Sequence, residues 1–86
     1  MRVVSSKRFA KQLGKYPDKI QKAFEKRLEI FINNPFHDTL GNHSLNGVWI
    51  GCRSINITGD LRAVYQLLDE QIVYFVAIGT HSQLYG

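Results

Sequence analysis

The sequence predicts an α+β fold, an N-terminal helical hairpin packed on one face of an antiparallel sheet. Two observations carry this. Apolar residues recur at helical spacing from Phe9 to Ile32, and at a period of two from Val48 to Ile78. Apart from a short opening run at Arg2-Val3-Val4, the helical segments precede the strand-like ones, without internal repeats or linkers. At 86 residues, the chain is sized for one domain, 1–86, with a modest core.

Each element has a local reason. Arg2-Val3-Val4 reads as a short opening strand. Ser5 or Ser6 caps a first helix, in which Phe9, Leu13 and Tyr16 keep helical spacing through to Gly14-Lys15. Pro17 suits the first position of a second helix, and Asp18 suits that helix's positive end. Ile20, Phe24, Leu28 and Phe31 give the second helix an apolar stripe, with Ala23 and Ile32 beside it. Asn33-Asn34-Pro35 ends it, because a residue preceding Pro is pushed out of the helical region. Phe36 to Asn46 is rich in His, Asn, Gly and Thr, and a loop is predicted there. Strands are then predicted at Val48-Trp49-Ile50, Arg53 to Thr58, Leu61 to Leu68 and Gln71 to Ile78. Turns at Thr58-Gly59-Asp60 and Asp69-Glu70 make the last three an antiparallel meander.

Composition narrows the function classes. An apolar content of 44% with two prolines is that of a folded domain. No apolar run approaches the roughly 18 residues of a membrane span, and no basic-then-apolar leader suggests export. The single Cys52 excludes an internal disulfide framework and fits a reducing cytoplasm; it reads as a structural thiol. Residues 1–40 hold nine Lys/Arg against four Asp/Glu, and residues 41–86 hold two against three. The positive field therefore belongs to the N-terminal half, where Lys7, Lys11 and Lys15 share one helix face and Lys19, Lys22 and Lys26 share another. Such rows are ordinarily solvated faces. They also offer a track for the phosphates of a nucleic acid.

The C-terminal half holds the candidate chemistry. An apolar strand runs into Gly79-Thr80-His81, and Tyr85 lies four residues beyond the imidazole. Imidazole titrates near neutral pH and is the natural proton carrier there. His43 ends the loop entering the sheet, Arg53 opens one strand, Asp60 sits in a turn and Arg62 opens the next strand. An Arg between apolar neighbours on a strand is costly unless it is paired or meets an anion. Two His, a carboxylate, a phenol and two Arg are the equipment for cutting RNA without metal. A base takes the ribose 2′-OH proton, an acid protonates the departing 5′-oxygen, and cations hold the phosphate charge. No His or Cys pair has metal-ligand spacing, and no nucleophile-elbow pattern marks a Ser-His-Asp hydrolase. No metal or other cofactor is called for.

Four segments occur in order: Leu40-Gly41-Asn42-His43-Ser44-Leu45-Asn46-Gly47, Trp49-Ile50-Gly51-Cys52-Arg53-Ser54, Gly59-Asp60-Leu61-Arg62-Ala63-Val64-Tyr65 and Ile78-Gly79-Thr80-His81-Ser82-Gln83-Leu84-Tyr85. The series resembles the RelE/ParE superfamily of bacterial type II toxin–antitoxin toxins, and most nearly its YafQ-type mRNA interferases. That resemblance implies a RelE-like microbial RNase fold and a toxin that enters the ribosomal A site and cuts mRNA. It also implies a cognate antitoxin that covers the active face. By the same resemblance His43, Asp60 and His81 match acid–base positions, Tyr85 an aromatic that orients substrate, and Arg62 a phosphate-binding Arg. Arg53 and Asn56 join them as expected substrate contacts, and Lys7, Lys11 and Lys15 as contacts to ribosomal RNA. The chain departs from the YafQ-type pattern at Asn56, where that pattern has a further His, and near Ala77, where it has a basic residue. Leu61 stands where an aromatic is usual. Asn56 can hydrogen-bond a ribose or phosphate but carries no proton at neutral pH. Two alternatives follow: a ParE-like gyrase inhibitor, or a weakened domain that only binds RNA or antitoxin.

Overall fold

A computed structural model describes residues 1–85. Its elements are β1 (Arg2–Ser5), α1 (Lys7–Gly14), α2 (Asp18–Asn33), β2 (His43–Ser44), β3 (Arg53–Thr58), β4 (Leu61–Asp69), β5 (Ile72–Thr80) and α3 (His81–Tyr85). The sheet order is β1-β5-β4-β3-β2, with β1 parallel to β5 and the other pairs antiparallel. The α+β class, the helical hairpin and the meander are as the periodicity predicts. No helix is long and apolar enough to cross a membrane, among the described residues.

The hairpin packs through aromatic rings. Phe75 is fully buried in β5, and its ring centroid lies 5.3 Å from Phe9, 5.4 Å from Phe24, 6.0 Å from Phe31 and 5.8 Å from Tyr65. These tilted and edge-on contacts are the arrangements that ring quadrupoles favour. One side chain from β5 thus joins α1, α2 and β4 into a single core. Ile55, Ile57, Leu61, Ala63 and Val73 complete it from the sheet.

β1 serves β5 only as far as the pair Ser5·Phe75. Beyond it, α1 completes the strand edge with side chains. The Ser6 hydroxyl donates to the Val76 carbonyl at 2.9 Å and accepts the Phe9 N–H that it caps, also at 2.9 Å. Gln12 Oε1 accepts the Ile78 N–H at 3.0 Å. At Val76 the register skips, from Val64·Ala77 to Tyr65·Phe75. This bulge resets the alternation, so Phe75 and Ile78 both join the helix-side core while Ala77 faces away.

Four details differ from expectation. Pro17 caps the second helix from outside, one residue before its first turn. Val48-Trp49-Ile50 is not a strand: Gly47–Trp49 forms a 3-10 turn, bracketed by Gly47 at φ +64° and Gly51 at φ +88°, conformations that interrupt an extended run. The loop before it contains the two-residue strand β2. Moreover, the sheet face away from the helices is partly covered. Val64, Ala77 and Leu84 form a second small core there, with Leu45, Trp49, Cys52 and Tyr85 packed around it.

Replacing Phe75 by Ala should cost about 3–5 kcal/mol, because four ring contacts and their cavity are lost together. Urea unfolding measures this, and a loss under about 1 kcal/mol would show that the rings pack independently of Phe75.

Candidate active site

Cross-strand partners share a sheet face. His43, Ser54, Val64 and Ala77 therefore form one row across β2, β3, β4 and β5, on the face away from the helices. Asn56, Arg62 and Gly79 form the next. At this end of the two strands the last β4–β5 pair is Leu61·Thr80, so Asp60, just before β4, and His81, just after β5, flank the same pair of strand ends. His43, Asn56, Arg62, Asp60 and His81 thus surround one face and its rim, and the small core under α3 occupies its middle.

α3 holds its position through four contacts. Thr80 and Gln83 form a reciprocal capping box: Gln83 Oε1 accepts the Thr80 N–H at 2.8 Å, and Thr80 Oγ1 accepts the Gln83 N–H at 3.2 Å. Leu84 is buried against Val64 and Ala77. The Trp49 indole N–H donates to the Leu84 carbonyl at 2.7 Å. Gly79 lets the helix close down, since a Cβ there would lie 2.9 Å from Gln83 Oε1 and 3.3 Å from Gln83 Cβ. Gly79 thus serves close packing rather than a turn, and its φ is not in the left-handed region. The result is an exposed His81 at the first position of α3, its ring edge-on to Tyr85 at 4.8 Å.

The His43 ring is exposed, and its Nδ1 lies 2.9 Å from the Gly41 carbonyl. A carbonyl only accepts, so Nδ1 carries the hydrogen and Nε2 keeps the lone pair in the neutral ring. Gly41 itself is held at φ +53°, where a Cβ would sit 2.6 Å from Asn56 Nδ2. Asn56 is thereby packed against the loop that presents His43. The third imidazole is occupied elsewhere, since His37 Nδ1 accepts the Thr39 N–H at 3.1 Å and caps the 3-10 turn Asp38–Leu40.

The two Arg separate. Arg62 lies in the Asn56 row and donates to the Gly59 carbonyl at 3.0 Å, across the β3–β4 turn. Arg53 shares the face of Ile55 and Ile57, toward the helices. Its guanidinium lies 5.2 Å from the Phe36 ring centroid, and its Nε donates to Asn42 Oδ1 at 2.7 Å. Asn42 in turn donates to the Pro35 carbonyl and the Tyr65 hydroxyl, at 2.8 and 2.7 Å. The predicted pairing of the half-buried Arg53 is present, but the expected company of Arg62 is not. Arg53 fastens the loop before β2 and stands away from the His43 face.

Lys7 and Lys11 lie along α1 and Lys15 is its C-cap, all three exposed. Lys19, Lys22 and Lys26 line a groove of about 340 Å³ that reaches Thr58, beside the Asp60 turn. Burial pushes the Cys52 thiol up from its ordinary value, as suits a packing residue rather than a nucleophile. Among the described residues no group of three or more His, Cys, Asp or Glu is placed to hold a metal ion. Two buried hydroxyls on or against the His43 face, Ser54 Oγ and Tyr85 OH, have no hydrogen-bond partner among the described residues.

The family profile described as bacterial toxin of type II toxin–antitoxin system, YafQ, matches residues 1–86. The chain belongs to the YafQ toxin family. Its fold is that of solved relatives. Escherichia coli YafQ superposes with a TM-score of 0.82 at 23% identity over 100% of both chains. The E. coli DinJ–YafQ toxin–antitoxin complex matches with a TM-score of 0.78 at 23% identity, over 98% of this chain and 96% of that one. A YoeB/ParE toxin from Agrobacterium tumefaciens gives 0.78 at 18% identity, over 94% and 99%. No curated protein sequence matches the chain significantly.

Within this YafQ-family chain, sequence reasoning passed over Trp49, Ser54 and α3 itself. The helix had a legible signal, the Thr80-His81-Ser82-Gln83 capping pattern. Ser54 and Trp49 had none, because their importance lies in tertiary contacts.

Gly79→Ala should push Gln83 away from Thr80, with loss of about 1 kcal/mol of helix capping. Thermal unfolding gives the loss, and a shift in Trp49 emission reports the altered bond to Leu84. Unchanged stability and emission would show that α3 does not depend on close approach at Gly79.

Proposed function

We propose that this chain is the toxin of a type II toxin–antitoxin pair and an mRNA endonuclease that acts on the ribosome in the cytoplasm. The observation that carries the reading is the placement of two exposed imidazoles on opposite sides of the Asn56·Arg62·Gly79 row. In the mechanism, His43 Nε2, the free basic atom of its ring, takes the proton of a ribose 2′-OH. The 2′-oxygen attacks the adjacent phosphorus, and the P–O5′ bond breaks as His81 delivers a proton to the departing oxygen. Products are a 2′,3′-cyclic phosphate and a 5′-OH. Arg62 holds the phosphate oxygens in this scheme, because its guanidinium stays charged and matches their geometry. Asn56 hydrogen-bonds the ribose, Tyr85 orients substrate beside His81, and the Asp60 carboxylate is a further acid–base group at that strand end. No step passes through a metal ion.

Two further parts of the reading follow from charge and likeness. Lys7, Lys11 and Lys15 contact ribosomal RNA, where each phosphate contact adds salt-dependent affinity without sequence preference. The partner protein is a cognate antitoxin, as DinJ is for E. coli YafQ in their solved complex.

Expressed from an inducible promoter, the protein should arrest growth and cut translated mRNA. His81→Ala should lower single-turnover cleavage on ribosomes by about 10²–10⁴-fold, the usual worth of acid–base catalysis, while the unfolding temperature stays unchanged. A His81→Ala protein that cuts at the wild-type rate removes His81 from the mechanism. Intact transcripts with a supercoiling defect would instead assign the chain to gyrase.

A further inference from the structure

A groove of about 460 Å³ opens between α1 and α3, along the part of the β5 edge that β1 does not reach. Arg8, Gln12, Lys15 and Gln83 supply most of its polar lining, and the buried Ile78 and Leu84 its apolar part. The two glutamines are oriented by their neighbours. Gln12 Oε1 accepts the Ile78 N–H, and Gln83 Oε1 accepts the Thr80 N–H. A backbone N–H can only donate, so in both side chains the oxygen is committed and the amide nitrogen is the free end. Neither amide nitrogen has a partner among the described residues. Arg8 and Lys15 carry donors only. Arg8 is further steadied over the Trp49 ring, 5.7 Å from its centroid, and Trp49 is bonded to α3. These four side chains therefore offer N–H donors and positive charge with no competing acceptor.

A phosphodiester has the complementary character, with unbridged oxygens that accept and one negative charge. Tyr16 also lines the groove and adds an aromatic face of the kind on which a base stacks. The volume suits one small ligand unit. α3 spans about 7.5 Å of helix axis at the usual rise, and it carries both His81 and the groove residue Gln83. A strand seated at His81 reaches the groove by crossing this short helix. We propose that the groove binds the backbone of the RNA strand beside the scissile phosphate, with Arg8, Gln12 and Gln83 as its specific contacts. The inference rests on the ribonuclease reading of the His43–His81 face and extends it by a second substrate site. It favours RNA over an acidic peptide because the groove shares α3 with that face.

The test exploits the committed oxygens. Gln12→Glu and Gln83→Glu each keep an acceptor for the same backbone N–H and replace the amide donors with negative charge. Binding is measured by fluorescence anisotropy with a labelled single-stranded hexadeoxynucleotide, which lacks the 2′-OH and cannot be cut by this route. The double variant should unfold at the wild-type temperature, bind at least about 10-fold more weakly and show a shallower salt dependence. Gln71→Glu adds the same kind of charge at the β4–β5 turn and should change affinity less than about twofold. Undiminished binding by the double variant, or no binding by the wild type, overturns the groove proposal. Normal oligonucleotide binding with lost affinity for a Glu-rich decapeptide overturns it in favour of a protein partner. Groove-dependent binding in a wild type that cuts no mRNA overturns the ribonuclease reading and leaves the groove standing.

Discussion

The structure depends on how the outer edge of β5 is satisfied. A buried strand must find partners for its N–H and C=O groups, and β1 provides them only to Phe75. From there Ser6 and Gln12 take over, so α1 is bound to the strand by hydrogen bonds as well as by Phe9. Ser6 acts twice, as helix cap and as donor to the bulged Val76. The bulge there turns Ala77 toward the opposite face, where it becomes the seat for Leu84. α3 then docks by close approach at Gly79 and by the Trp49 bond. The position of His81 is thus the far end of a chain of constraints that begins at Ser6. Core and site are connected through one strand.

Much of this was legible in the residues. Ile20, Phe24, Leu28 and Phe31 mark α2 by spacing, and Asn34-Pro35 marks its end through the restriction that Pro imposes. The alternation of Arg53, Ile55 and Ile57 likewise puts Arg53 on the core side. Assigning Arg53 to substrate followed its charge, whereas its Nε is bonded to Asn42 and its guanidinium lies near the Phe36 ring, both on the loop before β2. Val48-Trp49-Ile50 misled for a different reason. Three apolar residues suit a strand, but the flanking Gly47 and Gly51 adopt left-handed conformations, which break the extended backbone. The buried row around Ser54 and the second small core were not legible, because they arise from register and from a loop folding over the sheet.

The same register bears on how this toxin's face compares with the family pattern. Ala77 is fully buried under α3, so the small core fills the point where a basic residue is usual. Asn56 is packed against Gly41, and that contact helps to hold the loop from which His43 projects. Two residues that look like losses in sequence have structural work here. In the proposed mechanism the proton transfers then fall to the two imidazoles, with Arg62 the cation on their face.

That division of labour makes a definite claim about the bond that breaks. Attack by a ribose 2′-oxygen leaves a 2′,3′-cyclic phosphate or, after its hydrolysis, a 3′-phosphate, with a 5′-OH on the downstream fragment. Water activated for direct attack would leave the phosphate on the 5′ side instead. The decisive measurement is the chemistry of both new ends on mRNA cut by the purified protein on ribosomes. The account predicts a cyclic or 3′-terminal phosphate facing a 5′-hydroxyl. A 3′-hydroxyl facing a 5′-phosphate would contradict it.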